Sequence, residues 1–196
     1  PFKSGKRKRR GWLLVRTRHL STPVHGNWPT RRLYRAPAAL ITTSRAIREM
    51  LAGRLGVAPD RLFSIPTGVS LQEFVPREAD PALRARLQIP EGAFIFGTVA
   101  VLRSWKGHLY LLEALSRLIR EGRGAYLLVV GDGPYRVVIE EKIASLALES
   151  WVRLTGYQDD VAGWLCLMDA VVLASYANEG VPQALLQALA MAKPVI

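Results

Sequence analysis

The sequence predicts an α/β protein built on parallel sheets, and three observations carry the prediction. From residue 94 onward, short apolar runs alternate with longer segments of helical period. The runs lack the polar alternation of a half-solvated strand, so they are expected to be buried on both faces. Strands that alternate with helices in this way pair in parallel and carry helices on either side of the sheet. A hydrophobic content of 49% with 22% charged residues is that of a globular chain.

Taken in order, residues 12–15 (Trp-Leu-Leu-Val) read as a short strand. Pro23, Gly26 and Pro29 mark the stretch after it as a loop. Residues 39–43 form the next strand, and Ser44 caps a helix over 45–55 with Ile47, Met50, Leu51 and Leu55 on one face. A third strand spans 62–65. The stretch 66–76 has no sustained period, which places a domain boundary between 68 and 80. The expected domains are 1–75 and 76–196.

The second domain reads as strand 94–102, helix 108–120, strand 125–130, helix 135–146, strand 152–155, a short helix 161–167 and strand 170–174. Pro182 then opens a terminal helix that is apolar nearly all round and therefore expected to be buried. Gln183 and Gln187 lie four apart on one of its faces. The chain starts without Met and stops in the strand-like Pro194-Val195-Ile196, so a fragment is expected.

The bulk properties exclude several classes. No apolar stretch is long enough to cross a bilayer, and the first ten residues are too basic for a signal peptide. The single cysteine, Cys166, cannot form an internal disulfide, and the three scattered histidines suggest no metal-ligand set. A formal net charge of +11 favours anionic partners: nucleic acid, an anionic lipid surface or phosphorylated small molecules. The basic run at residues 3–10 has no interleaved aromatics, which ranks nucleic acid low.

In open parallel sheets, ligands bind beyond the carboxyl ends of the strands, so the residues just after each strand are the useful test. After Leu102 come Arg103-Ser104-Trp105-Lys106-Gly107, two cations in a loop that opens a helix and suits a phosphate or diphosphate. After Val130 comes the tight turn Gly131-Asp132-Gly133-Pro134. Arg136 stands where a dinucleotide fingerprint needs its third glycine, so a dehydrogenase is rejected. Tyr157 comes after the next strand and could lie against a ring. Glu179 and Gly180 come after the last. Each is individually an ordinary loop residue, but their common edge favours a phosphorylated, hydroxyl-rich ligand. His19 falls after the first strand, at the same end of its own domain.

With both halves read, the chain resembles the family 4 retaining glycosyltransferases, which have two Rossmann-like domains in the GT-B arrangement. The markers are Val15-Arg-Thr-Arg-His19, Ile65-Pro-Thr-Gly-Val69 with Phe74 and Pro76, Arg103-Ser-Trp-Lys106-Gly107, Val130-Gly-Asp-Gly133 and Glu179-Gly-Val-Pro-Gln-Ala-Leu-Leu-Gln187. The resemblance implies that Arg103 and Lys106 hold the donor diphosphate and that Glu179 and His19 face the donor sugar. It also implies donor contacts from Gly131, Asp132 and Gly133 and from the turn Gly180, Val181, Pro182 and Gln183, and Tyr157 joins this donor-binding set on its place after a strand. Gln187 stands where the family has a second acid that bonds the ribose; an amide can both donate to and accept from hydroxyls.

The implied reaction moves a sugar from a nucleotide-sugar to an acceptor with retention and without a bound metal or other cofactor. The acceptor would be lipid-linked or a polysaccharide of the cell envelope. The implied location is cytoplasmic, at the inner face of the membrane, with the basic run drawn to anionic lipid. Thr67 and Ser70 stand where the family often has Asn and Asp. The family's opening strands and the end of its second domain are not in the sequence. Two alternatives stand beside this reading: a nucleotide-sugar epimerase of related fold, and a basic module binding nucleic acid or anionic membrane.

Overall fold

The computed structural model describes residues 12–19, 22–177 and 179–196; the basic run at 3–10 lies outside them. The chain divides into two compact units, Pro1–Thr67 and Gly68–Ile196.

The first unit holds a parallel sheet of order β1-β2-β3, formed by β1 (Val15–Arg18), β2 (Ala39–Thr42) and β3 (Leu62–Ser64). Val15 lies opposite Ala39, and Leu40 opposite Leu62. Strand β1 thus begins at Val15, three residues later than the apolar run at 12–15 suggests. Ladder pairing decides this, because among the described residues Trp12 and Leu13 have no partner strand, and they stand 86% and 83% exposed.

The stretch read as a loop contains a helix, α1 (Trp28–Arg35). Its start obeys ordinary capping chemistry: the Asn27 side chain accepts from the Thr30 N–H, and Pro29 occupies the first turn, where its missing N–H costs nothing. Helix α2 (Arg45–Leu55) has the predicted bounds, with the Ser44 hydroxyl accepting from the Ile47 N–H at 3.3 Å. Ile47, Leu51 and Leu55 recur at helical spacing and close over Leu40 and Leu62, while Met50 packs at the edge of this core.

The second unit carries a parallel sheet of order β6-β5-β4-β7, from β4 (Ile95–Val99), β5 (Tyr126–Val130), β6 (Val152–Gly156) and β7 (Ala170–Val171). Residues two apart on a strand share a face. Phe96, Leu127 and Val129 accordingly join a core with α4 (His108–Arg120) and α5 (Arg136–Ser145). Ile95, Leu128 and Val130 join another on the opposite face, with α6 (Val161–Leu167) and the terminal α7 (Gln183–Ala190). Helix α3 (Pro81–Arg86) is an addition to the sequence reading; Asp80 caps it by accepting from the Ala82 N–H at 2.8 Å.

Three expectations change. Residues 68–75, assigned to the first domain from sequence, pack with the second unit, whose core takes up Phe74. The apolar run at 170–174 has only its first two residues in the ladder, and Val171 then bridges in parallel to Val195. Helix α7 is not buried all round. It rests on the sheet through Ala188, with Met191 just beyond its end, while Leu189 stands 56% exposed.

Candidate functional site

The second unit gathers its loops at the carboxyl ends of β4, β5, β6 and β7. The chain leaving β4 is fixed by backbone hydrogen bonds to the loop after β5: Ala100 N–H to Val130 O, Leu102 N–H to Asp132 O, and Tyr135 N–H to Leu102 O. Gly131 makes this possible. Its φ is +137°, and a methyl group there would overlap the Ala100 carbonyl oxygen. Gly131 N–H in turn donates to Gly156 O, so the β6 loop joins the same cluster.

A cavity of about 200 Å³ opens between these loops, lined by Val99, Ala100, Val101, Val130, Gly131, Asp132, Tyr157, Gln158 and Val161. Its lining is mostly apolar, with Asp132, Tyr157 and Gln158 as the residues that carry polar side-chain groups. Gln158 is held from both ends: its amide donates to Thr155 O and its oxygen accepts from the Trp164 indole N–H at 3.0 Å. Tyr157 stands exposed beside it, with a hydrogen bond to Asp159, together with that residue's charge, raising its hydroxyl pKa. Arg136, which breaks the dinucleotide pattern, pairs with Asp132 and with Glu140 on its own helix.

The second half of the cluster is where the β4 and β7 loops meet. Gly107 ends a 3-10 turn over Ser104–Lys106 and opens α4 with φ +72°. A methyl group there would overlap the backbone of Ala174. The two loops are also joined by a hydrogen bond from Tyr176 N–H to Trp105 O and by an edge-to-face contact of Tyr110 with Tyr176. Across this junction Lys106 Nζ meets Glu179 Oε1 at 2.5 Å, with both side chains largely buried. Burial pushes the Glu179 carboxyl up, but hydrogen bonds from Lys106 and Ser175 and the Lys106 charge outweigh it, so its pKa falls below the ordinary value. Arg103 is exposed, with its guanidinium over the Trp105 ring.

Arg103, Lys106, Gly131, Asp132, Gly133, Tyr157 and Glu179 therefore share one edge of one sheet, and Gly180, Val181, Pro182 and Gln183 lead directly into α7. The Gln183 amide donates to Gly68 O at 2.9 Å, so its side chain holds the first residue of this unit. Gln187 lies one turn further along α7, half-buried. His19 belongs to the first unit, where it lies exposed just after β1 and its carbonyl accepts from Thr43 Oγ1.

One residue escaped the sequence reading. His108, first in α4, is 2% exposed. Burial lowers its pKa to about 4, the Lys106 charge adds to this, and the Arg103 carbonyl opposes it. The signal was its position, next after Lys106-Gly107 at the start of an amphipathic helix. Among the described residues no group of three or more His, Cys, Asp or Glu could hold a metal ion.

Residues 93–196 match the family model for glycosyl transferases group 1, and residues 2–73 match that for glycosyltransferase family 4. The lipopolysaccharide core biosynthesis glycosyltransferase LpsD of Rhizobium meliloti is 37% identical over 99 residues, covering 50% of this chain and 28% of LpsD. The chain spans less than half the length of the first curated relatives it matches. Among solved structures, a glycosyltransferase from Rickettsia africae superposes with a TM-score of 0.80 at 24% identity, over 92% of this chain and 50% of that one. The Anabaena protein Alr3699/HepE, solved in complex with UDP, superposes with a TM-score of 0.77 at 23% identity, over 93% and 52%. These likenesses establish the GT-B fold.

Proposed function

The chain belongs to the glycosyl transferases group 1, and from that membership we propose that its second unit binds a nucleotide-sugar whose sugar is transferred to an acceptor with retention at the anomeric carbon. The observation that carries this reading is the Lys106–Glu179 pair, set at the junction of two loops beside Arg103 and the start of α4. Lys106, Arg103 and the first N–H groups of α4 would receive the diphosphate. Glu179, held ionised, would accept hydrogen bonds from sugar hydroxyls. The apolar cavity beside Tyr157 would take the base, and Gln187 would meet the ribose.

In the transfer, the bond from the anomeric carbon to the phosphate oxygen breaks, the acceptor hydroxyl oxygen bonds the same carbon, and the hydroxyl proton passes to the departing phosphate oxygen. The negative charge left on the nucleotide diphosphate falls on Arg103 and Lys106, which are in place before the bond breaks. Fixed charges aimed at developing charge are the usual source of the largest rate gain. No metal is required in this scheme. His19 of the first unit is assigned to the donor sugar on resemblance. The name of the similar LpsD supports an envelope glycan or lipid-linked acceptor, and the UDP held by the similar HepE supports a nucleotide-sugar donor. The same reading places the reaction in the cytoplasm, at the inner face of the membrane.

The test is turnover of a panel of nucleotide-sugars, with and without acceptor, in Lys106→Ala and Glu179→Ala variants. Removing one electrostatic contact of this kind should lower kcat by about 100-fold. Near-normal turnover in both variants would remove them from the mechanism. An isomerised nucleotide-sugar formed without acceptor would replace transfer by epimerisation.

A further inference from the structure

Helix α4 turns His108, Leu111, Leu112 and Leu115 into the core, which leaves Tyr110, Glu113, Ala114, Arg117 and Arg120 recurring at helical spacing on its outer side. The strip they form is about 15 Å long. It starts at a corner made by two exposed rings. Tyr110 is 61% and Tyr176 62% exposed, and they meet edge to face with centroids 6.0 Å apart and planes at 78°. Both are fixed at the backbone: Tyr110 N–H donates to Gly107 O, and Tyr176 N–H to Trp105 O. Trp105 precedes Lys106, and Tyr176 stands three residues before Glu179, so the corner rests on the junction that holds the Lys106–Glu179 pair.

Beyond the corner, a hollow of about 280 Å³ is lined by Tyr110, Glu113, Ala114 and Arg117, and the small Ala114 leaves room between its longer neighbours. A second hollow of about 200 Å³ shares Glu113 and Arg117 and adds Ser116, Arg120 and, from α5, Lys142 and Leu146. Lys142 Nζ donates to Glu113 Oε1 at 2.9 Å, which ties α5 to α4. That hydrogen bond and the Lys142 charge lower the pKa of Glu113 and keep its carboxylate ionised in the middle of the strip. Arg117, Arg120 and Lys142 thus stand against Glu113. Each cation complements the dipole at the end of its own helix, but that role is local and leaves the paired rings and the hollows unaccounted for.

We propose that this strip, from the Tyr110–Tyr176 corner to Arg120 and Lys142, binds a chain of uronic-acid sugars. A pyranose ring presents C–H groups on one face, and their partial positive charge is drawn to the negative face of an aromatic ring. Its hydroxyls donate to the Glu113 carboxylate and exchange hydrogen bonds with Ser116. Its carboxylates fit the forked donors of Arg117 and Arg120, which can meet them in two parallel bonds. A neutral glycan would leave the excess of cations unanswered, and a nucleic-acid backbone carries few hydroxyl donors for Glu113. A uronic-acid chain supplies both, because each ring carries hydroxyls beside its carboxylate. Holding such a chain requires neither a donor nor sugar transfer, so this role and the functional reading above can fail separately.

The experiment is isothermal titration calorimetry of the full chain with a short oligogalacturonate and, as the neutral counterpart, a malto-oligosaccharide of equal length. The oligogalacturonate is expected to bind, less tightly as salt rises, and the neutral chain at least about tenfold more weakly. Tyr110→Ala should lower the affinity about tenfold while Tyr110→Phe keeps it, since the ring face and not the hydroxyl makes the contact. Arg117→Gln with Arg120→Gln should lower it about tenfold or more. These residues lie on an outward helix face, so the far-ultraviolet spectrum should not change in any variant. Saturation-transfer difference NMR, irradiating aromatic protons, should mark the C–H face of the sugar and lose that signal in Tyr110→Ala. Absence of oligogalacturonate binding would overturn the proposal. So would wild-type affinity in Tyr110→Ala or in the Arg117/Arg120 variant, equal affinity for the neutral chain, or tighter binding of duplex DNA that is lost in the same variants.

Discussion

Replacing Gly107 with alanine tests whether the β4 and β7 loops are held together through their close backbone approach. Two costs add at this position. The φ of +72° is a left-handed conformation, worth about 1–2 kcal/mol against an L side chain. The new methyl group would also overlap the carbonyl carbon and oxygen of Ala174, which are backbone atoms and cannot rotate away. Overpacking of this kind adds about 1–3 kcal/mol. The sum is about 2–5 kcal/mol, which for a unit of about 130 residues lowers Tm by about 6–18 °C. Gly92 supplies the control: its φ is +74°, yet a methyl group there meets nothing within 4 Å. Gly92→Ala should carry the conformational cost alone, about 3–7 °C. Differential scanning calorimetry of both variants separates the two costs. If Gly107→Ala melts no lower than Gly92→Ala, the close approach of the loops is wrong, and the placement of Lys106 against Glu179 loses its support.

Two further outcomes are expected of the same structure. His108 titrates near 6.5 when unfolded and at about 4 when folded, so the unfolded chain binds the proton more readily between these values. Its contribution is whole above the unfolded value and is lost as pH falls toward 4; between pH 7.5 and 5 the loss is about 2 kcal/mol. His108→Gln should flatten that part of the stability profile measured by urea unfolding, and an unchanged slope would remove His108 as its source. In the first unit, Ser44→Ala deletes the acceptor for the Ile47 N–H and should cost about 1 kcal/mol, read as a lower urea midpoint at constant m.

Much of the architecture was legible because it depends on local pattern. Helices α2, α4 and α6 have the bounds read from periodicity and capping, and the strand ends that bear Arg103, Gly131, Tyr157 and Glu179 fall on one edge as expected. Helices α1 and α3 were missed although Asn27 with Pro29 and Asp80 with Pro81 are both cap signals. Pro29 reads as a loop residue in the sequence and the stretch holding Pro81 shows no sustained period, yet proline is as ordinary in the first helical turn as in a loop. Trp12 and Leu13 show the opposite error: an apolar run is a strand only where another strand accepts its hydrogen bonds.

What the sequence determined by itself is the alternation of strands and helices and the order of the loops that connect them. Apolar spacing, caps and glycines act over a few residues and are written along the chain. Tertiary structure alone decided that Lys106 pairs with Glu179, that Gly107 lies against Ala174, and that Gln183 holds Gly68. It also decided that His108 is buried and that residues 68–75 belong with the second unit. These facts join positions distant in sequence, and they depend on which strand lies beside which. Parallel pairing of β4 with both β5 and β7 brings together loops separated by dozens of residues. No local spacing specifies that pairing, because it is the packing of helices on both faces of the sheet that selects it.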